Sequence, residues 1–235
     1  MARDLLKYTM TKPAIGLYIE GAVEPRAYAP NGQKPKPDAK KSYSGSFVLD
    51  ADHPDVAGMK DTILKAAQAE WPGRDIKDAV AKGELKMPFT SGDKMIAKRA
   101  KKRVAAGKEA DTVLDFLKGK LVFKASSDFP VALGVRVNGS PIDVTEDNKA
   151  IHKKAFYTGV ACVGSFTYGP YTVDDKEGVK AYFDACFSFN SGPHLKIGGR
   201  SSADTFKGVA GVVVDTDPTA GAPGADDDDG DEIPF

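Results

Sequence analysis

Residues 120–139 read Lys-Leu-Val-Phe-Lys-Ala-Ser-Ser-Asp-Phe-Pro-Val-Ala-Leu-Gly-Val-Arg-Val-Asn-Gly. Leu121, Phe123 and Ala125 alternate with Lys120, Val122, Lys124 and Ser126, the two-residue period of a strand with one face buried. After Asp128-Phe129-Pro130 the alternation resumes, with Val131, Leu133, Val135 and Val137 inward and Arg136 outward. Asn138-Gly139 then supplies the turn of a hairpin. Two short amphipathic strands in twenty residues, each with a cation on its outer side, set the pattern for the rest of the chain.

Working outward, Ala14–Glu20 and Tyr43–Leu49 show the same alternation, the second placing Tyr43, Gly45, Phe47 and Leu49 on one face. Between them, residues 21–42 hold four prolines and four lysines, which suits an exposed basic connector and no central strand. The period changes from Asp52: Val56, Met59, Ile63, Leu64 and Ala67 recur at helical steps, and Pro72-Gly73 ends the run. A short helix around Asp75–Lys82 follows, and Ser91-Gly92-Asp93 reads as a turn. Lys94–Lys108 contains seven bases and no acid, among them Lys98, Lys101, Lys102 and Arg103. Such a run is either a solvated helix face or a phosphate contact.

C-terminal to the hairpin, Phe156–Tyr168 is a long strand whose Gly159 and Gly164 suggest a bulge or bend. Tyr182–Asn190 places Phe183, Ala185, Phe187 and Phe189 inward, and Phe206–Val214 is a last apolar strand. Five to seven short, bent strands with helices inserted at about 52–118 make a mainly β chain, better suited to a small barrel than to a doubly wound sheet.

The whole chain of 235 residues has a formal net charge of zero, yet its charges are segregated. From Asp215 onward there are eight acids and no base, so residues 1–214 carry 33 bases against 25 acids, a surplus of +8. With 41% hydrophobic residues the body can bury a core. Residues 215–235, rich in Gly, Ala, Pro and Asp, cannot, and are expected to be a disordered acidic tail. No apolar run approaches a membrane span, and the start MARDLLKYTM lacks a signal peptide's apolar region, so a soluble intracellular protein is expected. Cys162, Cys186, His53, His152 and His194 are scattered, without metal-ligand spacing. No nucleophile-elbow, zincin or phosphate-loop motif occurs, and the acidic pairs fall in turn-like sequence. The expectation is a binding protein, not an enzyme, with no metal and no cofactor.

Binding leaves two marks. Aromatics are interleaved with cations: Phe123 and Phe129 around Lys120 and Lys124, and Tyr157, Phe166, Tyr168 and Tyr171 near Lys153 and Lys154. Single-stranded nucleic acid calls for both, since cations neutralise phosphates while rings stack on bases of any sequence. The second mark is the terminus, where Asp226, Asp227, Asp228, Asp229, Asp231 and Glu232 precede Ile233-Pro234-Phe235. Acids ahead of an apolar tripeptide offer a partner a ring to bury and charges to meet a basic rim. The same polyanion, tethered to a cationic groove, would compete with nucleic acid.

These residues carry a resemblance. The ending Asp226–Phe235 resembles the acidic tip of bacterial single-stranded DNA-binding proteins, whose terminal Pro-Phe docks replication and repair partners. Met87-Pro88-Phe89 with Ser91-Gly92-Asp93, then Gly119–Ser127, Phe156-Tyr157-Thr158-Gly159 and Phe187-Ser188-Phe189-Asn190, is similar in order and spacing to phage-encoded single-stranded DNA-binding proteins. That resemblance implies an OB-fold-type β-barrel over residues 1–214 with a helical insertion, located in the cytoplasm of an infected bacterial host. Its departures are the long basic run Lys94–Asp115 and Gly192-Pro193-His194. The implied activity is sequence-independent binding of single-stranded DNA in replication, recombination or repair. Lys120, Lys124, Arg136, Lys153 and Lys154 would meet phosphates, with Lys98, Lys101, Lys102 and Arg103 beside them. Tyr157, Phe166, Tyr168 and Tyr171 would be stacking platforms. Replication or repair proteins would be recruited through the tail; association into homo-oligomers is left open. A metal-dependent nuclease or recombination enzyme acting on single strands is the alternative, and an interaction protein with an acidic partner is the third reading.

Overall fold

A computed structural model describes residues 6–27, 39–109, 112–173, 176–195 and 197. The expected strand at Phe206–Val214 and the acidic terminus Asp226–Phe235 lie outside the described residues.

The strands are β1 Leu6–Thr9, β2 Ala14–Leu17, β3 Arg26–Ala27, β4 Lys41–Leu49, β5 Leu85–Lys86, β6 Phe89–Ser91, β7 Leu121–Ser127, β8 Ala132–Val137, β9 Ser140–Val144, β10 Ala161–Val173 and β11 Lys176–Ser188. The helices are α1 Glu20–Val23, α2 Pro54–Glu70, α3 Ile76–Ala81, α4 Gly92–Ala105 and α5 Lys149–His152, with short 3-10 turns at Asp115–Leu117 and Lys153–Ala155. The main sheet runs β6-β7-β4-β2-β10-β11-β8-β9. Its five longest members are β4, β7, β8, β10 and β11. β8 runs parallel to β11, and β11 also packs against β7, so the sheet curls back on itself. This is a mainly β, OB-type barrel with inserted helices.

The aromatic alternation explains closure. Phe47 of β4, Phe123 of β7, Phe166 of β10 and Phe183 of β11 are fully buried and meet edge to face or stacked, with centroids 4.7 Å apart for Phe123–Phe166 and 5.1 Å for Phe47–Phe166. Each such ring contributes about 1.5–3 kcal/mol through burial. Helix α2 closes one end with Val56, Met59, Ile63 and Ala67, the helical-period residues of the sequence. Its anchor is polar. The buried Asp55 carboxylate accepts the backbone N–H of Thr11 and Lys12 and the hydroxyls of Thr11 and Tyr8. Burial would raise the pKa of Asp55, but these hydrogen bonds outweigh it and hold the carboxyl below its ordinary value.

Several local expectations change. β2 ends at Leu17, because Tyr18 takes a left-handed φ of 54° and the chain turns into α1. Ser91-Gly92-Asp93 is no turn but the start of α4. A Cβ on Gly92 would come within 2.0 Å of the Leu117 carbonyl oxygen, so only glycine lets this helix begin against the 115–117 turn. The long strand begins at Ala161 instead of Phe156, which places Lys153, Lys154 and Tyr157 in the connection before it.

β7 is also not a strand with one wet face. On its outer side Val122 joins Leu17, Val48, Leu114 and Leu117 in a second apolar cluster, flanked by Met95 and Ile96 of α4. The basic helix is the lid of that cluster. Met95, Ile96, Arg99, Ala100 and Arg103 are half-buried, while Lys94, Lys98, Lys101 and Lys102 form an exposed stripe at helical spacing.

Candidate nucleic-acid interface

The β10–β11 hairpin carries the irregularity that shapes the site. Ser165 pairs with Ala185 but Phe166 pairs with Phe183, so Asp184 is the extra residue of a bulge. One added residue reverses the side taken by every residue after it. Phe183 points into the core. Beyond the bulge, Cys186 and Ser188 are the buried residues, and Phe187 and Phe189 turn to the outer face, each half-buried. The expectation that Ala185, Phe187 and Phe189 share the inward face of Phe183 is thereby corrected.

Phe187 lies across Gly134 of β8, where a Cβ would sit 2.7 Å from the ring. Phe189 stands edge-on to it, centroids 5.4 Å apart at 79°. The guanidinium of Arg136 covers Phe189 at 4.7 Å. On the same outer face, Thr9, Ser165, Ala185 and Ala132 form one row across β1, β10, β11 and β8. Val163, Phe187, Gly134 and Asp143 form the next. The rows line an open groove of about 250 Å³. Before the bulge, half-buried Tyr182 continues the outer face, with the Lys180 ammonium 5.2 Å from its ring. Burial lowers the pKa of Lys180, opposed by the nearby Asp128 carboxylate.

The residues singled out from sequence fall in different settings. Phe166 and Tyr168 are core, at 0% and 1% exposure, and cannot be stacking platforms. They follow the inner-face alternation of β10, which runs through Cys162 and Gly164 without interruption, and Tyr168 adds an edge contact to Phe123. Burial raises the pKa of the Tyr168 hydroxyl far above its ordinary value. Tyr171 is half-buried over Gly178, its hydroxyl also raised by burial, and Tyr157 stacks on His194 at 3.8 Å while donating its hydroxyl to the Gly192 carbonyl.

Arg136 and Lys124 project from the outer faces of β8 and β7. Lys120 precedes β7 and pairs with Asp50 at the rim of a smaller groove of about 140 Å³. Lys153 and Lys154 are exposed on the 153–155 turn, Lys153 at 3.9 Å from Glu24. Lys98, Lys101 and Lys102 are exposed on α4, whereas Arg103 donates to the Glu109 carbonyl and folds the helix end back.

Sequence reasoning missed Tyr182, Phe187 and Phe189 as outer-face rings. No local signal marked the bulge, since Asp184, next to the inward Phe183, lies at the surface with or without it. There it accepts the Thr167 hydroxyl. Among the described residues, no group of three His, Cys, Asp or Glu side chains is placed to hold a metal ion, and no helix is long and apolar enough to cross a membrane. Cys162 and Cys186 are both buried and unoxidised, and their contact raises the Cys162 thiol.

A curled, mainly β barrel with inserted helices defines an OB-type fold. Among solved structures it is shared with the single-stranded DNA-binding protein from bacteriophage Enc34 in complex with ssDNA. The match has a TM-score of 0.52 and 9% identity, and covers 83% of this chain and 100% of that one. A second structure of the single-stranded DNA-binding protein from bacteriophage Enc34 matches at a TM-score of 0.49 and 11% identity, covering 87% and 99%. Gp2.5, a single-stranded DNA-binding protein encoded by bacteriophage T7, matches at 0.43 and 15%, covering 89% and 98%. No family model and no curated protein sequence matches the chain.

Proposed function

We propose that this chain binds single-stranded DNA without base specificity, serving phage replication, recombination or repair in an infected bacterial host. The observation that carries the reading is the bulge-exposed pair Phe187–Phe189 with Arg136 stacked on it. Bases of any identity have a flat face, so rings on a sheet hold them without reading sequence, each stack being worth about 1–3 kcal/mol. Arg136 supplies positive charge at these rings and Lys180 at Tyr182 further along β11, and phosphate neutralisation there makes affinity fall steeply with salt. In OB-folds the second and third barrel strands and the flanking loops bind oligonucleotides. In this chain those strands are β7 and β8, which carry Lys124 and Arg136. The fold shared with the Enc34 protein, solved with ssDNA, supports the same reading.

Fluorescence titration with oligo-dT over a range of salt is the test. Binding that weakens linearly on a log–log salt plot is expected; no binding at low salt, or salt-independent binding, refutes it. Incubation of labelled single strands with Mg²⁺ or Mn²⁺ should leave them intact, and product bands would favour the nuclease alternative.

The acidic terminus has two roles in this reading, recruiting replication or repair proteins and competing for the cationic face. Support comes from the segregation of eight acids beyond residue 214 from a body of charge +8. Removal of Asp226–Phe235 should tighten DNA binding most at low salt. Removal of Phe235 alone should abolish partner capture and leave DNA affinity nearly unchanged.

A further inference from the structure

One exposed ring is not absorbed by the site above. Phe129, in the loop from β7 to β8, is 77% exposed, the most exposed large hydrophobic residue among those described. A single apolar side chain in water needs no explanation by itself. Phe129 differs in how it is held. Its N–H donates to Ser127 Oγ at 3.1 Å, and the preceding Asp128 is clamped by the Lys40 ammonium at 2.6 Å, which also lowers the pKa of Asp128. Pro130 follows and restricts the chain on the other side. Val131, next along, is buried and anchors the loop to the core. The backbone is thus fixed at both ends while the ring is offered to solvent.

The neighbourhood is cationic and aromatic. Ala132 pairs with Ala185 in the parallel β8–β11 ladder. Phe129, in the loop before β8, and Tyr182, ahead of the bulge on β11, both precede that rung in the same direction. Lys180, over the Tyr182 ring, feels the Asp128 carboxylate next to Phe129. Lys40 and Lys180 thus bring two ammonium groups to a place with two rings.

We propose that Phe129, with Tyr182, Lys180 and Lys40, forms a second nucleotide subsite, in which a base stacks on Phe129 and the lysines meet its phosphate. It rests on the reading that the outer face of β8 and β11 binds single-stranded DNA. Along β11, Tyr182 and Phe187 are about 13 Å apart at strand rise, allowing for the bulge. The two subsites are therefore separate, and a strand must be long enough to reach both.

Length dependence tests this. Oligo-dT of about 2 nucleotides, too short to span 13 Å, and of about 16, the upper end of what a single OB fold occupies, is titrated against the full chain and against Phe129→Ala and Phe129→Trp. For the wild type, lengthening should raise affinity. In Phe129→Ala that gain should shrink about tenfold, with an unchanged thermal midpoint because the ring is exposed. Phe129→Trp should restore the gain, and its indole fluorescence should be quenched by the longer oligonucleotide. Wild-type binding that gains with length, together with an equal gain in Phe129→Ala, overturns the subsite alone. A loss that Phe129→Trp does not restore overturns stacking as its cause. Failure of the wild type to bind either oligonucleotide overturns the subsite together with the reading beneath it.

Discussion

Two outer faces of this barrel start from similar sequence and end differently. On β4 and β7, Val48 and Val122 point outward and are buried beneath α4 and the 115–117 turn. On β10 and β11, Val163 and Phe187 also point outward, yet remain half-exposed along an open groove, with half-exposed Phe189 just past the end of β11. Apolar residues facing out from a sheet must be covered or used. The inserted helix covers the first set with Met95 and Ile96, turning its lysines to solvent. The second set carries Arg136 against Phe189, with Lys180 over Tyr182 further along the same strand, which suits this face to a ligand that brings its own flat surfaces and negative charge.

The comparison breaks most decisively on the covered side. Val122→Asp would bury a charge between sheet and helix, and a loss of about 4 kcal/mol or more is expected, read as a collapsed thermal midpoint. Were the midpoint nearly unchanged, α4 would not be a lid. On the open side the large effect should fall on binding. The double change Phe187→Ala, Phe189→Ala should weaken oligo-dT binding by about 2–4 kcal/mol in titration, with a stability loss of about 1 kcal/mol. Equal affinity would remove the rings from the DNA path.

Asp55 tests the frame beneath both faces. Asp55→Ala leaves the Thr11 and Lys12 amides without their acceptor and should cost about 2–3 kcal/mol in denaturant unfolding. The carboxyl pKa is depressed in the folded state, so the unfolded chain takes up the proton first as pH falls. Its contribution is therefore complete above the unfolded value of about 3.9 and lost as pH drops through the lower native value. Wild type and Asp55→Ala should converge in stability only at strongly acid pH, which a pH series of melts would show.

Smaller effects separate the two sets of cations. Arg136→Ala should lower affinity by about 1–2 kcal/mol and reduce the salt slope by about one. The joint change of Lys98, Lys101 and Lys102 to alanine should slow association at low salt, while leaving affinity at about 0.2 M salt within about twofold. A larger loss there would extend the DNA path over the helical lid.

Much of the architecture was legible because alternation is a local property. The periods of Lys41–Leu49, Pro54–Glu70, Leu121–Ser127 and the Asn138-Gly139 hairpin survive in the structure nearly as read. The candidate site was legible in part. Arg136, Lys124 and the exposed lysines of α4 are outward-facing, but Phe166 and Tyr168, which the sequence offers as platforms, belong to the core. An aromatic on an alternating strand has equal local reasons to be core or platform. Which face is inside depends on strands distant in sequence, and counting by two across Asp184 fails because the extra residue is defined only by its partner strand.

By itself, then, the sequence determined a mainly β body with inserted helices and a net charge of +8 set against an acidic end, since period and charge are written residue by residue. Tertiary structure alone decided which rings meet solvent. Pairing of β10 with β11 places the bulge, the bulge inverts the face of Phe187 and Phe189, and the fold of α4 over Val48 and Val122 determines which apolar face stays open. Both are consequences of long-range contact, and neither has a local signature strong enough to be read in one dimension.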